Sequence, residues 1–466
     1  MKLAAKISLP MVLVLLLTVS PVLSGCAPAE EGAPTPPPAP VPTPTPEPTQ
    51  PSTTPSDRST SGQLIQPNDL VYQGAFRLPE GSNGSDWGYS GYAMTYYPDG
   101  DPGGPADGYP GSIFGLGHDH HQYISEISIP MPVISKDLGQ LNTATTLQGF
   151  QDITGGMFGY LEIPRAGLEY LPAQGPQTTG KLHFCWGQHF QFEHDASHGW
   201  CELDLSNPRT AGPWHFGDYT NYITNDYLFE IPEAWAAANT PGQRLATGRF
   251  RDGSWSGQGP ALFAYGPWND GNPPAPNATL HTITPLLLYG IHEPGIPEIT
   301  NSESMKMSTY RAADEWSGGA WLTAGDKSAV IFVGTKATGK CWYGYSNGVE
   351  YPIDGAEDPD AYPEVPPWPH DDRGWWSEGI EAQIIFYNPG DLAAVARGDM
   401  EPYQPQPYAS LSIDEYLFDP GFNFERGKRY LVGAASFDRA RGLLYAFERM
   451  ADEDEKSLVH VWKVGN

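Results

Sequence analysis

The chain has 466 residues, with 55 acidic side chains against 26 basic ones and a formal net charge of −29 at pH 7. An excess of that sign excludes a nucleic-acid partner held by a lysine and arginine surface, since phosphate contacts need one. It suits solubility in an extracellular medium and is compatible with cation binding. With 53 Gly, 48 Pro and 12% aromatic residues, the composition favours many turns and short strands over helices, which is the pattern of an all-β protein.

In chain order, Lys2 and Lys6 accompany an apolar stretch at 7–22 broken by Pro10, and Leu23-Ser24-Gly25-Cys26 follows. Charge, apolar core and small residues in that order make residues 1–25 a cleaved export signal rather than a spanning helix. The tetrapeptide resembles the lipobox of bacterial lipoproteins, and the resemblance implies that Cys26 becomes the acylated first residue of the mature chain. The partner expected at this end is a membrane, reached through the lipid anchor at Cys26, and the expected location is the outward-facing side of a bacterial cell envelope. Residues 26–61 are Pro, Thr, Ala, Ser and Glu with almost nothing to bury. They read as an extended polyproline tether, able at about 3.1 Å per residue to hold a domain on the order of 100 Å from the lipid. Residues 62–466 are expected to fold as one domain.

That domain opens with a strand at 70–78 that has no partner ahead of it. Units of short strands follow, starting near Asp86, Gly167, Ser254, Glu315 and Tyr430. The fourth is the clearest, with strands expected at 320–323, 329–333 and 341–345 and a last one at 382–387 after a long insertion. Its middle run, Ala-Val-Ile-Phe-Val, is apolar at every position and must be covered on both faces, as an inner strand of a stacked blade is. Each unit repeats the order of Gly with a small residue, a first strand, a turn, an apolar strand, a turn and an alternating strand. Units of this kind build a β-propeller, and the unpaired first strand would close the ring against the last blade. Glycine starts at 91, 167, 259, 319 and 433 argue for about five blades, with six or seven, or a pair of β-sandwiches, as the alternatives.

The phrases DLVYQGAFRLP, GLEYLPAQG, GWCELDLS, NDYLFEIPEAWA, EWSGGAWLTAGDKSAVIFVGTK, PYQPQPYASL and GAASFDRARGLLYAFE extend over nearly all of the chain after the tether. On them the sequence resembles an uncharacterised family of exported bacterial propeller-like proteins. The resemblance implies the fold and the export, and it transfers no catalytic residue.

Four constellations carry the candidate chemistry. Asp86 with Trp87, Asp252 with Trp255, Asp314-Glu315-Trp316, and Trp375-Trp376 with Glu378 lie beside the expected inner strands. Loops of a propeller converge on one mouth of its channel, so these residues could form a cup of carboxylates and indoles. Indole faces stack on sugar rings, and two carboxylates about 5–9.5 Å apart would perform glycoside chemistry. The plainer reading makes the tryptophans packing devices and the acids solvated. The second constellation is His118-Asp119-His120-His121. On a strand His118 and His120 share a face, so at most two would reach a common ligand or metal, with His189, His194 and His198 as supplements. The third is the Gly-rich loop with Asp99, Asp101 and Asp107, whose oxygens suit a structural calcium or a simple polar turn. The fourth is cysteine: Cys185 and Cys201 flank one hairpin and are candidates for a cross-strand disulfide in an oxidising compartment, which leaves Cys341 single and buried.

No His-Glu-x-x-His helix or phosphate-binding Gly-Lys-Ser/Thr is present, so the common zinc-protease and nucleotide signatures are missing. The leading expectation is a surface-anchored propeller that binds an extracellular ligand, foremost a polysaccharide. Two rivals stand beside it. One is a glycoside-active enzyme using Asp86, Asp252, Glu315 or Glu378, and the other is a scaffold for a protein partner.

Overall fold

A computed structural model of the chain describes residues 63–104, 108–161, 164–189, 191, 193–353, 355 and 361–465. The expected signal, the tether, Cys26 and Asp107 therefore lie outside the described residues. No helix among those described is long and apolar enough to cross a membrane.

Gly, Pro, Asn and Asp turns cut the chain into short strands. The first is β1 (Leu70–Arg77). Blade one follows as β2 (Met94–Tyr97), β3 (Ser112–Leu116), β4 (Ile124–Ser128) and β5 (Thr146–Gln151). Blade two is β6 (Pro164–Leu171), β7 (Lys181–Gln188), β8 (His198–Cys201) and β9 (Ala211–Phe216). Blade three runs through β10 (Tyr227–Glu230), the helix α1 (Glu233–Asn239), β11 (Leu245–Gly248) and β12 (Leu262–Tyr265). It ends with β14 (Ile283–Leu287), after the two-residue β13 (Thr279–Leu280) has paired parallel to β9 of the blade before. Blade four is β15 (Glu315–Ala324), β16 (Lys327–Tyr345), β17 (Arg373–Tyr387), the helix α2 (Pro389–Ala396) and β18 (Ala409–Ser412). Blade five is β19 (Val432–Asp438), β20 (Leu443–Glu448) and β21 (Leu458–Val464), completed by β1, which pairs antiparallel to β21 from Leu70↔Val464 to Arg77↔Leu458. The protein is an all-β, five-bladed propeller closed by its N-terminal strand, as the repeat pattern implies.

Two details differ from the sequence reading. Blade three begins at Tyr227, not at Ser254, and the glycine at 259 falls just before its third strand. Residues 341–345 are no separate strand but the far end of β16, which pairs with β17 on both sides of a bulge between Thr338 and Cys341.

Each face of a blade packs on its neighbour. Val330 and Phe332 of β16 bury with Phe229, Leu262 and Trp316 between blades three and four. The alternate residues Ala329, Ile331 and Val333 bury with Leu444 and Trp462 between blades four and five. That two-sided cover is why the stretch is apolar throughout.

The innermost strands β2, β6, β10, β15 and β19 lie against one another in a ring around the channel. Five blades leave little room there, and small residues supply it. A Cβ at Gly318 would stand 2.4 Å from the Gly433 carbonyl oxygen, and one at Gly167 2.7 Å from the Tyr227 carbonyl carbon. The waist, bounded by these glycines with Ala93, Ala434 and Ala435, encloses about 10 Å³, at the limit for a single water.

Closure is fixed by a buried polar relay across the last blade. Tyr72 Oη on β1 lies 2.8 Å from His460 Nδ1 on β21, and His460 Nε2 lies 2.9 Å from Glu448 Oε2 at the end of β20. Glu448 also accepts hydrogen bonds from the backbone N–H groups of Phe418 and Asp419, each at 2.8 Å. Burial pushes the Glu448 carboxyl up, but His460, Lys428 and the backbone donors outweigh it and hold it below the usual range. A carboxylate with a depressed folded pKa contributes stability that is fully present above its unfolded pKa, about 4.3, and is lost as pH falls through the folded value. Glu448→Gln is expected to lower the unfolding free energy by about 2–3 kcal/mol at pH 7. Urea denaturation at stepped pH should show that gap closing below about pH 4.

Candidate functional site

The innermost strands enter the ring in one sense, so their first residues share one mouth of the channel with the last residues of the antiparallel second strands. Arg165 stands near the start of β6, Asp226 just before β10, Glu315 opens β15 and Tyr430 precedes β19. Arg249 and Arg251 follow β11, and Arg449 follows β20. The β16–β17 hairpin overshoots its blade and brings Tyr343 and Trp375 over the same mouth. Arg165, Arg251, Arg449, Tyr430, Tyr343 and Trp375 line a cavity of about 600 Å³, the size of a small-molecule site, and Asp226, Glu315 and Arg249 are buried next to it.

At its floor Arg165 forms loose ion pairs with two carboxylates. Its Nη2 is 3.5 Å from Glu315 Oε1 and its Nε 3.8 Å from Asp226 Oδ1, while Arg249 Nε is 3.5 Å from the same Asp226 oxygen. Burial pushes the Asp226 and Glu315 carboxyls up, and the arginines pull them back toward the charged form. At 3.5–3.8 Å these are loose ion pairs, longer than hydrogen bonds.

The wall is built from cations laid on aromatic rings. Arg251 lies 4.4 Å over Trp255, and its Nη1 is 2.8 Å from His189 Nδ1. Burial, with Arg251 next, drives the His189 imidazole far below its ordinary pKa, so it is neutral at pH 7. Arg429 donates to Asp252 Oδ2 at 2.9 Å, faces Asp372 at 3.4 Å and lies 5.0 Å over Trp376. Burial pushes the neighbouring Tyr430 phenol up, so it too is neutral. Two glycines make room: a Cβ at Gly253 would meet Trp375 Nε1 at 2.3 Å, and one at Gly374 would meet Arg429 Nη1 at 2.5 Å.

Of the residues singled out in the sequence, Asp252, Trp255 and Trp375 line this cup. Trp376 is buried behind it against Phe422 and Phe424, and Glu315 lies at its floor. The others do not meet there. Trp87 and Trp316 are fully buried between blades, where their apolar area holds the ring together and no ligand can stack on them. Glu378 is exposed and accepts from the Lys340 backbone at 3.0 Å. Asp86 borders a separate cavity of about 320 Å³ with Tyr89, His118 and Lys456. The arginines, Tyr92 and Tyr430 went unnoticed in the sequence, and His189, named there only as a supplement to the histidine cluster, lines the cup instead. A usable signal was there: in a chain so poor in basic residues, Arg-Phe-Arg-Asp at 249–252, Lys-Arg-Tyr at 428–430 and Glu-Arg at 448–449 each sit at a strand end.

His118, Asp119 and His120 lie on a turn, not on a strand, and this brings together what alternation would separate. Their ligand atoms fall within 4.8 Å of one another, a nitrogen and oxygen donor set of the kind that holds zinc or a similar ion. His198 is buried in β8 beside Ser197 and Thr247, and His194 stacks near His215, so neither supplements the group. Asp99 is exposed, and Asp101 accepts from the Gly103 backbone at 3.0 Å; among the described residues they join no such group. Cys185 and Cys201 are buried free thiols, which corrects the expected disulfide. The register opposes Cys185 to His198 and Cys201 to Leu182, so the two sulfurs point to opposite faces of the blade. Cys341 is half-buried near the bulge of β16.

Fold and site thus define a five-bladed propeller with an arginine-walled, aromatic-rimmed cup at the channel mouth. In comparisons with protein-family models and with curated proteins, nothing matches this chain. The split between packing and rim tryptophans is directly measurable. Trp316→Ala is expected to lower the unfolding free energy by about 3–5 kcal/mol, whereas Trp375→Ala should lower it by less than about 2 kcal/mol, both read by chemical denaturation.

Proposed function

We propose that this protein is an outward-facing, lipid-anchored propeller that binds an extracellular glycan in the cup at its channel mouth. The observation that carries the reading is the rim of Trp255, Trp375 and Tyr343 around a cavity of about 600 Å³ whose walls are hydrogen-bonding side chains. Aromatic faces match the C–H faces of sugar rings, and the polar walls match their hydroxyls. Binding is favoured over hydrolysis because only Asp252 among the four candidate carboxylates opens onto the cup. Asp252 is held by Arg429, Glu315 is buried beneath, and Glu378 and Asp86 lie elsewhere. The anchor rests on the lipobox-like Leu23-Ser24-Gly25-Cys26.

Titration of the protein against a panel of extracellular oligosaccharides, followed by tryptophan fluorescence, tests the reading. Trp375→Ala should weaken the bound glycan about 10-fold or more without products appearing. Release of shortened sugars would overturn binding in favour of catalysis, and silence across the panel would favour a protein partner. Cys26→Ser is expected to move the protein from the membrane fraction to the soluble one.

A further inference from the structure

Arg449 is the least compensated charge in the cup. It is only 7% exposed, yet it forms no ion pair among the described residues, Glu315 acts on it only through space, and its Nε has no hydrogen-bond partner. Its guanidinium lies 4.1 Å over the Tyr92 ring and donates from Nη2 to the Tyr92 hydroxyl at 2.6 Å. Arg165 shares that ring at 5.0 Å. A buried charge is normally paired, because stripping its water is expensive. Here the fold goes out of its way to keep one. A Cβ at Gly91 would stand 2.8 Å from Arg449 Cγ, and one at Gly433 3.3 Å from its Cδ, so two glycines of the inner ring are the bed on which this side chain lies.

The surroundings repeat the sign. Arg165, Arg249, Arg251, Arg373, Arg429 and Arg449 face Asp226, Asp252, Glu315 and Asp372, a local positive excess inside a chain of net charge −29. A concave, poorly hydrated site concentrates such a field, and planar guanidinium groups match carboxylate and sulfate oxygens. Resting on the glycan reading for the sugar itself, we infer that the ligand is an acidic saccharide whose carboxylate or sulfate group docks on Arg449, with Arg165 and Arg251 beside it. The acidic envelope repels charge outside the cup over about a Debye length, 8–10 Å at ordinary salt. A short acidic oligosaccharide therefore suits the site better than a long polyanion.

The test titrates the full chain by calorimetry with trigalacturonate and with its uncharged counterpart, galactotriose. In parallel, the thermal midpoint is followed in sodium sulfate against sodium chloride of equal ionic strength. Trigalacturonate is expected to bind on the order of 10- to 100-fold tighter than galactotriose. Arg449→Met should erase that preference and any sulfate-specific stabilisation. If Arg449→Met does not fold, Arg373→Met on the exposed rim serves, and should cut the preference several-fold. Equal binding of the two trimers without a sulfate effect overturns the acidic seat and leaves the glycan reading standing. An Arg449-dependent sulfate effect with neither trimer bound upholds the seat and removes the glycan reading. Silence of all three probes overturns both.

Discussion

The close approach of five inner strands at one axis is the constraint from which the rest of the molecule follows. A ring of five cannot open wide, so the strands that meet there must do without side chains at the points of contact. Gly167, Gly318 and Gly433 each face a neighbour's backbone at a distance no Cβ could occupy. Where a blade brings bulk, the next one yields: a Cβ at Gly319 would meet Phe229 Cε1 of blade three at 2.6 Å. Apolar packing is thereby pushed outward, into the wedges between blades, and polar groups collect at the channel mouth where the strands diverge.

The mouth shows how an acidic protein uses its few cations. Blades two, three and five contribute most of the arginines from near strand ends, and blade four contributes Tyr343, Trp375 and Arg373 through its overlong hairpin. Because the donors come from rigid strand ends and the rings beneath them are buried, the guanidinium groups are held in place before any ligand arrives, which limits the ordering cost of binding. Flexible surface lysines could not do this as well.

The blade pattern was legible in the sequence because the axial constraint writes itself as glycine beside a small residue at the start of a first strand. It worked for the inner strands that carry Gly167, Gly318, Gly319 and Gly433. It failed for blade three, whose first strand is Tyr-Leu-Phe-Glu and whose clearance is supplied by glycines on its neighbours, so the pattern jumped to Gly259. A similar limit governs the tryptophans. An indole beside an acid reads the same whether it fills a wedge, as Trp87 and Trp316 do, or borders a cup, as Trp255 and Trp375 do, since only the fold decides which face is covered. The cations were overlooked because their meaning is collective: each is an ordinary arginine at a strand end, and only the ring brings them together.

The tight waist has one more consequence. A volume of about 10 Å³ admits a single water at most, so the axis of this propeller is a blind well and not a tunnel. Whatever enters must leave by the same door, and the water it displaces must pass it on the way out. On the glycan reading proposed above, a polymer would offer a terminus or a side branch to the cup rather than thread the axis.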